Sequence, residues 1–249
     1  MNHPDLPAAT ISESDGVRFL HLGSIWVQGA MRIRKPQVVE LVYVQRMLAS
    51  LLWLPADELG EGRALQLGLG TGAITRFTHR ALRLPTTVVE LNPQVVEAGR
   101  LWFHLPAEVQ VVIDDAGRWL REEAEPQSVR LLHVDLYDHE AAAPVLDDEA
   151  FYAACRAVLD DGGVMSVNLF GRHASFAASA ARIAAAFGAD HVWSVQPTRE
   201  GNTVVVATRT LALPDEDTLR TRAAALEARF GACGLAARKW PRMLRPWQG

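Results

Sequence analysis

The sequence predicts an α/β fold, a doubly wound and mostly parallel sheet preceded by a β-hairpin region. Three observations carry that reading. From residue 63 onward, short apolar runs alternate with segments of helical period. The runs are too uniformly apolar to face water on either side. A glycine-rich stretch, "LQLGLGTGAITRF" at 65 to 77, joins the first run to the first helix. Strands of this kind belong to parallel sheets covered by helices on both faces. Composition agrees: of 249 residues, 49% are apolar and 22% charged, a mixture able to bury a substantial core.

Taken in order, residues 1 to 15 read as a loose arm. "GVRFLHLGS" and "SIWVQGAMRIR" then alternate apolar and polar residues around a glycine, the pattern of a hairpin. "PQVVELVYVQRMLASLLWL" changes period, placing Val39, Val42, Tyr43, Met47 and Leu51 on one helical face. Pro55 and "GEG" at 60 to 62 punctuate a loop. "ALQLGLG" is the first parallel strand and "AITRFTHRAL" its helix. "TTVVELN" and "PQVVEAGRLWF" form the second pair, with Pro93 suited to a first helical turn. "VQVVIDD" with "AGRWLREEA" is the third, and "VRLLHVDLYD" with "DDEAFYAACRAVL" the fourth, its helix stopped by "DDGG". "GVMSVNLFG" and "SFAASAARIAAAFG" follow, then "HVWSVQP" and "NTVVVATRT" as a closing antiparallel pair. "DEDTLRTRAAALEARFG" carries Leu219, Ala223, Leu226 and Phe230 on one stripe, a helix that packs on the domain. The expected units are 1–55 (arm, hairpin and helix), 56–210 (the nucleotide-binding type of sheet) and 211–249 (a helical tail).

Several function classes are excluded at this level. A net charge of −4 supplies no basic field for nucleic acid or anionic lipid. Two cysteines make no disulfide framework and have no metal-ligand spacing, which predicts a reduced, cytoplasmic compartment and no metal. The polar N-terminus lacks the layout of a signal peptide, and no apolar stretch is long enough to span a bilayer.

In an open parallel sheet, ligands bind beyond the carboxyl ends of the strands. Gly68, Gly70, Thr71 and Gly72 follow the first strand, Glu90 ends the second, Asp114 and Asp115 end the third, and Asp135 and Asp138 end the fourth. The glycines alone do not choose a ligand, since they also satisfy G-x-G-x-x-A of dinucleotide sites. Glu90 suits ribose hydroxyls in either case. The acid pair of "IDDAG" is more telling, because it can accept from an adenine amino group. With Asp135, the set resembles the class I S-adenosylmethionine-dependent fold, a Rossmann-like sheet of methyltransferase type. The structural alternative for each residue is a tight turn or a helix cap.

At "VDLYDHE" a narrower resemblance appears. D-x-x-D after the fourth strand, "DDAG" after the third, "LDDGGVMSVNL", and "WVQGAMRI" followed by "ELVYVQRM" are similar to the spermidine/spermine synthase family over about residues 16 to 208. The resemblance implies transfer of an aminopropyl group from decarboxylated S-adenosylmethionine to a polyamine amine, without metal, by a homodimer. It makes Asp135 the base, and Asp138 and Tyr43 acceptor-binding groups. Glu90 would hold the ribose, Asp115 with Asp114 the adenine, and the glycine loop the remainder of the donor. Three positions depart from the pattern. Thr71 stands where the loop usually has an aspartate, Val44 where a glutamine follows the tyrosine, and Thr198 of "PTREGN" where a tyrosine is expected. A loop without its aspartate suits a donor that keeps its carboxylate, so the alternatives are an S-adenosylmethionine-dependent methyltransferase and a non-catalytic family member. Among smaller features, His139 reads as a loop histidine, His133 and Cys155 as structural, and "RIRKP" at 32 to 36 as a solvated edge. Trp102, Phe103 and Trp119 read as core aromatics.

Overall fold

The computed structural model describes residues 6–136, 146–170 and 174–248. A three-stranded antiparallel sheet comes first: β1 (Ala9–Ser14), β2 (Val17–Leu22) and β3 (Val27–Arg32) in that order. The hairpin is thus extended by a strand taken from the expected arm. Asp15 and Gly16, with φ of 51° and 74°, make the two-residue turn between Ser14 and Val17. Asp-Gly is the pair such a turn demands, because both central residues need positive φ.

The helix expected from residue 36 begins later. α1 spans Val42–Met47 and tightens into a 3-10 segment, Leu48–Trp53. Val39, Met47 and Leu51 are buried, but Val42, the first residue of α1, is 47% exposed, because five residues at 3.6 per turn set it about 140° round the helix from Met47.

Among the described residues the large sheet has eight strands in the order β11-β9-β10-β8-β7-β4-β5-β6. β4 (Ala64–Leu67), β5 (Thr86–Glu90), β6 (Gln110–Ile113), β7 (Val129–Val134) and β8 (Leu159–Phe170) run parallel. β9 (Val192–Val195), β10 (Asn202–Thr208) and β11 (Leu244–Pro246) continue it antiparallel. Strand order reverses at β4, between β5 and β7, and that is where a doubly wound sheet opens a crevice. β11 was not expected; it lies beyond the apolar stripe of the last helix, and only its pairing with β9 makes it a strand.

Helices cover both faces. α3 (Pro93–Trp102), α4 (Ala116–Glu122) and α5 (Glu149–Val158) each open on a side-chain cap, from Asn92, Asp115 and Asp148. α2 (Ala73–Arg76) follows the glycine loop and widens into a π turn, Phe77–Ala81. α6 (Ala174–Phe187) packs beside α5, and α7 (Glu216–Phe230) buries Leu219, Ala223, Leu226 and Phe230 as expected. Alternate residues of each central strand feed opposite layers. Leu131, Val164 and Val204 join the core under α1 and α7, whereas Leu132, Met165 and Val205 join the one under α4, α5 and α6. A third cluster seats Leu20 and Met31 of the small sheet against Val95, Val96 and Phe103. Among the aromatics read as core, Phe103 is fully buried, but Trp102 is 47% exposed with the Arg18 guanidinium 5.2 Å from its ring. No helix among the described residues is long and apolar enough to cross a membrane.

Candidate active site

Strand register brings the functional side chains level. Leu67 pairs with Val89 on one side and Val134 on the other, and Val134 pairs with Val167. The next residues, Gly68, Glu90, Asp135 and Asn168, therefore emerge side by side from four neighbouring strands, spaced about 4.8 Å apart. Asp114 follows Ile113, the partner of Glu90. All of them, with Asp115, Gly70 and Tyr43, line one cavity of about 710 Å³. Its outer wall comes from the N-terminal region, including Leu20, Trp26 and Gln28.

The glycine loop owes its shape to close approach. Gly68 has φ of 85°, and a Cβ there would stand 2.2 Å from the Asp135 carbonyl oxygen. Only glycine lets the first and fourth strand ends meet. Thr71 and Gly72 do not line the large cavity. Gly72, with φ of 71°, is the left-handed N-cap of α2. Thr71 is 3% exposed and packs on β3, where a Cβ on Gly29 would come within 2.5 Å of its Cγ2. The Thr71 side chain thus points to the N-terminal sheet. It borders a side cavity of about 20 Å³, shared with Gln28, Gln66, Tyr43 and Asp135. Val44, one of the three departures, is buried in the core.

Each acid has a defined setting. Glu90 accepts from the backbone N–H of Leu69 at 2.7 Å through Oε2 and of Asn92 at 2.9 Å through Oε1. Burial raises its pKa, and those amides oppose the rise. The Leu91 N–H acts on it as well, and of the four lone-pair sites of a carboxylate one remains to accept a hydroxyl. Asp114 Oδ1 accepts from the Asp115 N–H at 2.6 Å and from Arg118 Nε at 2.9 Å. Asp115 caps α4 by accepting from the Arg118 N–H at 2.8 Å. Capping and lining coexist here, because both acids also face the cavity. Asp135 Oδ2 accepts from the Tyr43 hydroxyl at 3.1 Å, and Oδ1 from Asn168 Nδ2 at 2.9 Å. Burial raises the Asp135 pKa, opposed by the two donors. Asp138 and His139 lie outside the described residues.

Sequence reasoning missed several wall residues. Gln28, Asn168, Asn202 and Glu200 all line the cavity. Gln28 Nε2 is buried without a hydrogen-bond partner among the described residues. Glu200 stands at the exposed rim, held below the usual carboxylate range by its own backbone N–H, the Thr198 hydroxyl and nearby Arg46 and Arg199. The available signal was a polar residue interrupting an apolar strand, as Asn168 does in "MSVNLF". One pleat below Asp135, His133 is fully buried with Nδ1 2.8 Å from Ser166 Oγ, and burial lowers its pKa to about 4. It is a neutral structural histidine, as expected. Cys155 is fully buried and its thiol pKa is pushed far up by burial. Arg32 of "RIRKP" pairs with Glu40 at the surface.

A five-strand parallel core with a reversed edge and an acid-lined crevice at its carboxyl end defines a methyltransferase-like α/β protein. No family model matches the chain. It is 31% identical over 231 residues to the polyamine aminopropyltransferase of Chromobacterium violaceum, covering 91% of this chain and 86% of that one. The chain belongs to the polyamine aminopropyltransferase family. Its fold is similar to a probable spermidine synthase from Corynebacterium glutamicum (TM-score 0.73, 20% identity, 91% of this chain and 85% of that one). It is also similar to human methyltransferase-like protein 13 in complex with SAH (TM-score 0.65, 20% identity, 84% and 96%).

Proposed function

We propose that this chain transfers an aminopropyl group from decarboxylated S-adenosylmethionine to an amine of a polyamine. The observation that carries the reading is the sign of the cavity. Glu90, Asp114, Asp115, Asp135 and Glu200 line it, and the described lining includes no lysine, arginine or histidine. Both reactants of this transfer are cationic, and acids in a partly buried cleft attract cations strongly. Intact S-adenosylmethionine adds a carboxylate for which that wall offers no cation. Thr71, which argued for the intact donor, turns its side chain away from the large cavity. The aminopropyl reading is therefore preferred to methyl transfer. Five acids lining one cavity, with Glu90 and Asp135 close enough to disfavour each other's charge, also weigh against a non-catalytic remnant.

The roles follow from position. Glu90 holds a ribose hydroxyl, Asp114 and Asp115 the adenine edge, and Gly68 and Gly70 allow close approach of the donor to the backbone. Tyr43 and Asp135 orient the attacking nitrogen. Asp135 accepts its proton, and the lone pair so released attacks the carbon next to sulfur. The C–N bond forms as the C–S bond breaks, and the electron pair leaves on a neutral thioether. A base whose pKa is raised by burial keeps the proton better than a solvated carboxylate would. Alignment of nucleophile and sulfonium supplies the remainder. Asp138, next in the D-x-x-D spacing, is proposed to hold the distal ammonium. A homodimer is the expected assembly.

Calorimetry with the decarboxylated donor, the intact donor and NAD, followed by a product assay with putrescine, tests the reading. The decarboxylated donor should bind tightest. Asp135→Asn should lower kcat by about 10²- to 10⁴-fold with donor affinity retained. Preferential binding of the intact donor, or full turnover by Asp135→Asn, overturns it.

A further inference from the structure

The Tyr43 hydroxyl accounts for one oxygen of Asp135 and leaves the other unexplained. On that side stands Asn168, which follows Val167 on β8, the register partner of Val134. Its Nδ2 donates to Asp135 Oδ1 at 2.9 Å, and its Oδ1 accepts from Asn202 Nδ2 at 3.1 Å. Asn202 opens β10 and is tied back into the loop before it. Its N–H donates to Thr198 Oγ1 at 3.2 Å, while the Thr198 N–H donates to the Asn202 carbonyl at 2.8 Å. Both asparagines are almost wholly buried.

An amide has a donor end and an acceptor end that cannot exchange roles without rotation. Holding Asn168 Oδ1 against a donor from β10 forces Nδ2 towards the carboxylate. The two oxygens of Asp135 are then chemically unequal. Oδ1 faces an N–H that can only donate, so a proton placed there would meet a donor. Oδ2 faces the Tyr43 hydroxyl, which can turn and accept instead.

We infer, on the reading of Asp135 as the base, that Asn168 is a positioning residue. Held from β10 by Asn202, it fixes the plane of the Asp135 carboxylate and directs the incoming proton to Oδ2. The Thr198–Asn202 turn is the anchor, and it also carries Glu200 on the cavity rim. The base is thereby tied to the loop that forms the far wall.

Other titratable groups surround the carboxylate. Tyr43 comes from α1 and Glu90 from β5, and the Asp135 charge disfavours ionisation of Glu90. Asp114 and Asp115 after β6 and Glu200 before β10 share the cavity, and neutral His133 lies two residues back on β7. Removing Asn168 leaves all of these in place and deletes one donor to the charged form.

The test is a ¹³C NMR titration of carboxyl-labelled aspartates, with the Asp135 signal assigned by its loss in Asp135→Asn. It is run beside steady-state kinetics on the full chain. Asn168→Ala should move the Asp135 titration to higher pH and lower kcat about 10- to 100-fold, with KM for the donor little changed. Asn202→Ala should shift the titration in the same direction, and should add nothing in the Asn168→Ala background, since it acts through that residue. If Asn168→Ala does not fold, Asn168→Ser carries the same test with a side chain one bond shorter. An unmoved Asp135 titration in the Asn168 variant, or additive shifts in the double variant, overturns the inference. A wild-type protein without aminopropyl transfer whose Asp135 titration still responds this way refutes the functional reading and upholds the positioning.

Discussion

Replacing Gly68 by alanine tests the contact on which the site geometry depends. Two costs can be worked from the structure. At φ of 85°, a Cβ meets the left-handed penalty of about 1–2 kcal/mol. The same atom would also sit 2.2 Å from the Asp135 carbonyl oxygen, well inside the 3.0 Å below which something must shift. That neighbour is backbone, paired through the Asp135 N–H to the Leu67 carbonyl at 2.9 Å, so β7 must slide and carry the carboxylate with it. Overpacking of this kind adds about 1–3 kcal/mol. For a chain of this size the sum lowers Tm by about 10 °C. A displacement approaching 1 Å at the base costs about 10²-fold in kcat. Gly16→Ala is the control: φ is 74°, but nothing lies within 4 Å of its Cβ, so strain acts without a clash. It should lower Tm by about 2–8 °C and leave kcat unchanged. Thermal unfolding and aminopropyl-transfer rates of both variants decide. If Gly68→Ala keeps wild-type kcat, the close meeting of β4 and β7 does not position the base.

Two further outcomes are expected. His133, fully buried with a pKa lowered to about 4, stays neutral in the folded chain while the unfolded chain protonates near pH 6.5. Its contribution is present above pH 6.5 and is lost as pH falls towards 4, because the unfolded state binds the proton first. Urea unfolding at pH 7.5 and pH 5 should show about 2 kcal/mol of lost stability that His133→Gln removes; an unchanged pH slope in that variant refutes the assignment. Thr71→Asp would restore an acid that the family pattern expects in the loop. Here it would bury a carboxylate against Gly29 and Ala30, with the buried Arg76 guanidinium, which donates to the residue 71 carbonyl, as its nearest cation, so stability should drop by about 1–3 kcal/mol in denaturant unfolding. A variant as stable as wild type would refute that cost and show that the side chain finds Arg76 or turns into the cavity.

Much of this protein was legible beforehand because each signal is local. Continuous apolar strands, Pro93 in a first helical turn, and the stripe from Leu219 to Phe230 all act within a turn or two of chain. The acids were legible as residues that follow strands. β1 escaped because its Asp-Gly turn was absorbed into a polar arm. The late start of α1 escaped because a six-residue helix and a 3-10 segment share an apolar content with one long helix. Thr71 misled for a different reason: its position in the loop was correct, but its rotamer answers to Gly29 on another sheet.

The sequence by itself determined the five parallel strands, the antiparallel pair β9 and β10, and the acids at the carboxyl ends of the parallel strands, since hydrophobic period and turn chemistry operate over a few residues. Only the tertiary structure decided which side chains share a wall. Gln28, Asn168 and the turn that carries Glu200 and Asn202 come from segments far apart in the chain, and nothing near any one of them specifies the others. Strand order and register make that choice. They depend on how whole faces pack, and this sets one asparagine beside the carboxylate and turns one threonine away from the cavity.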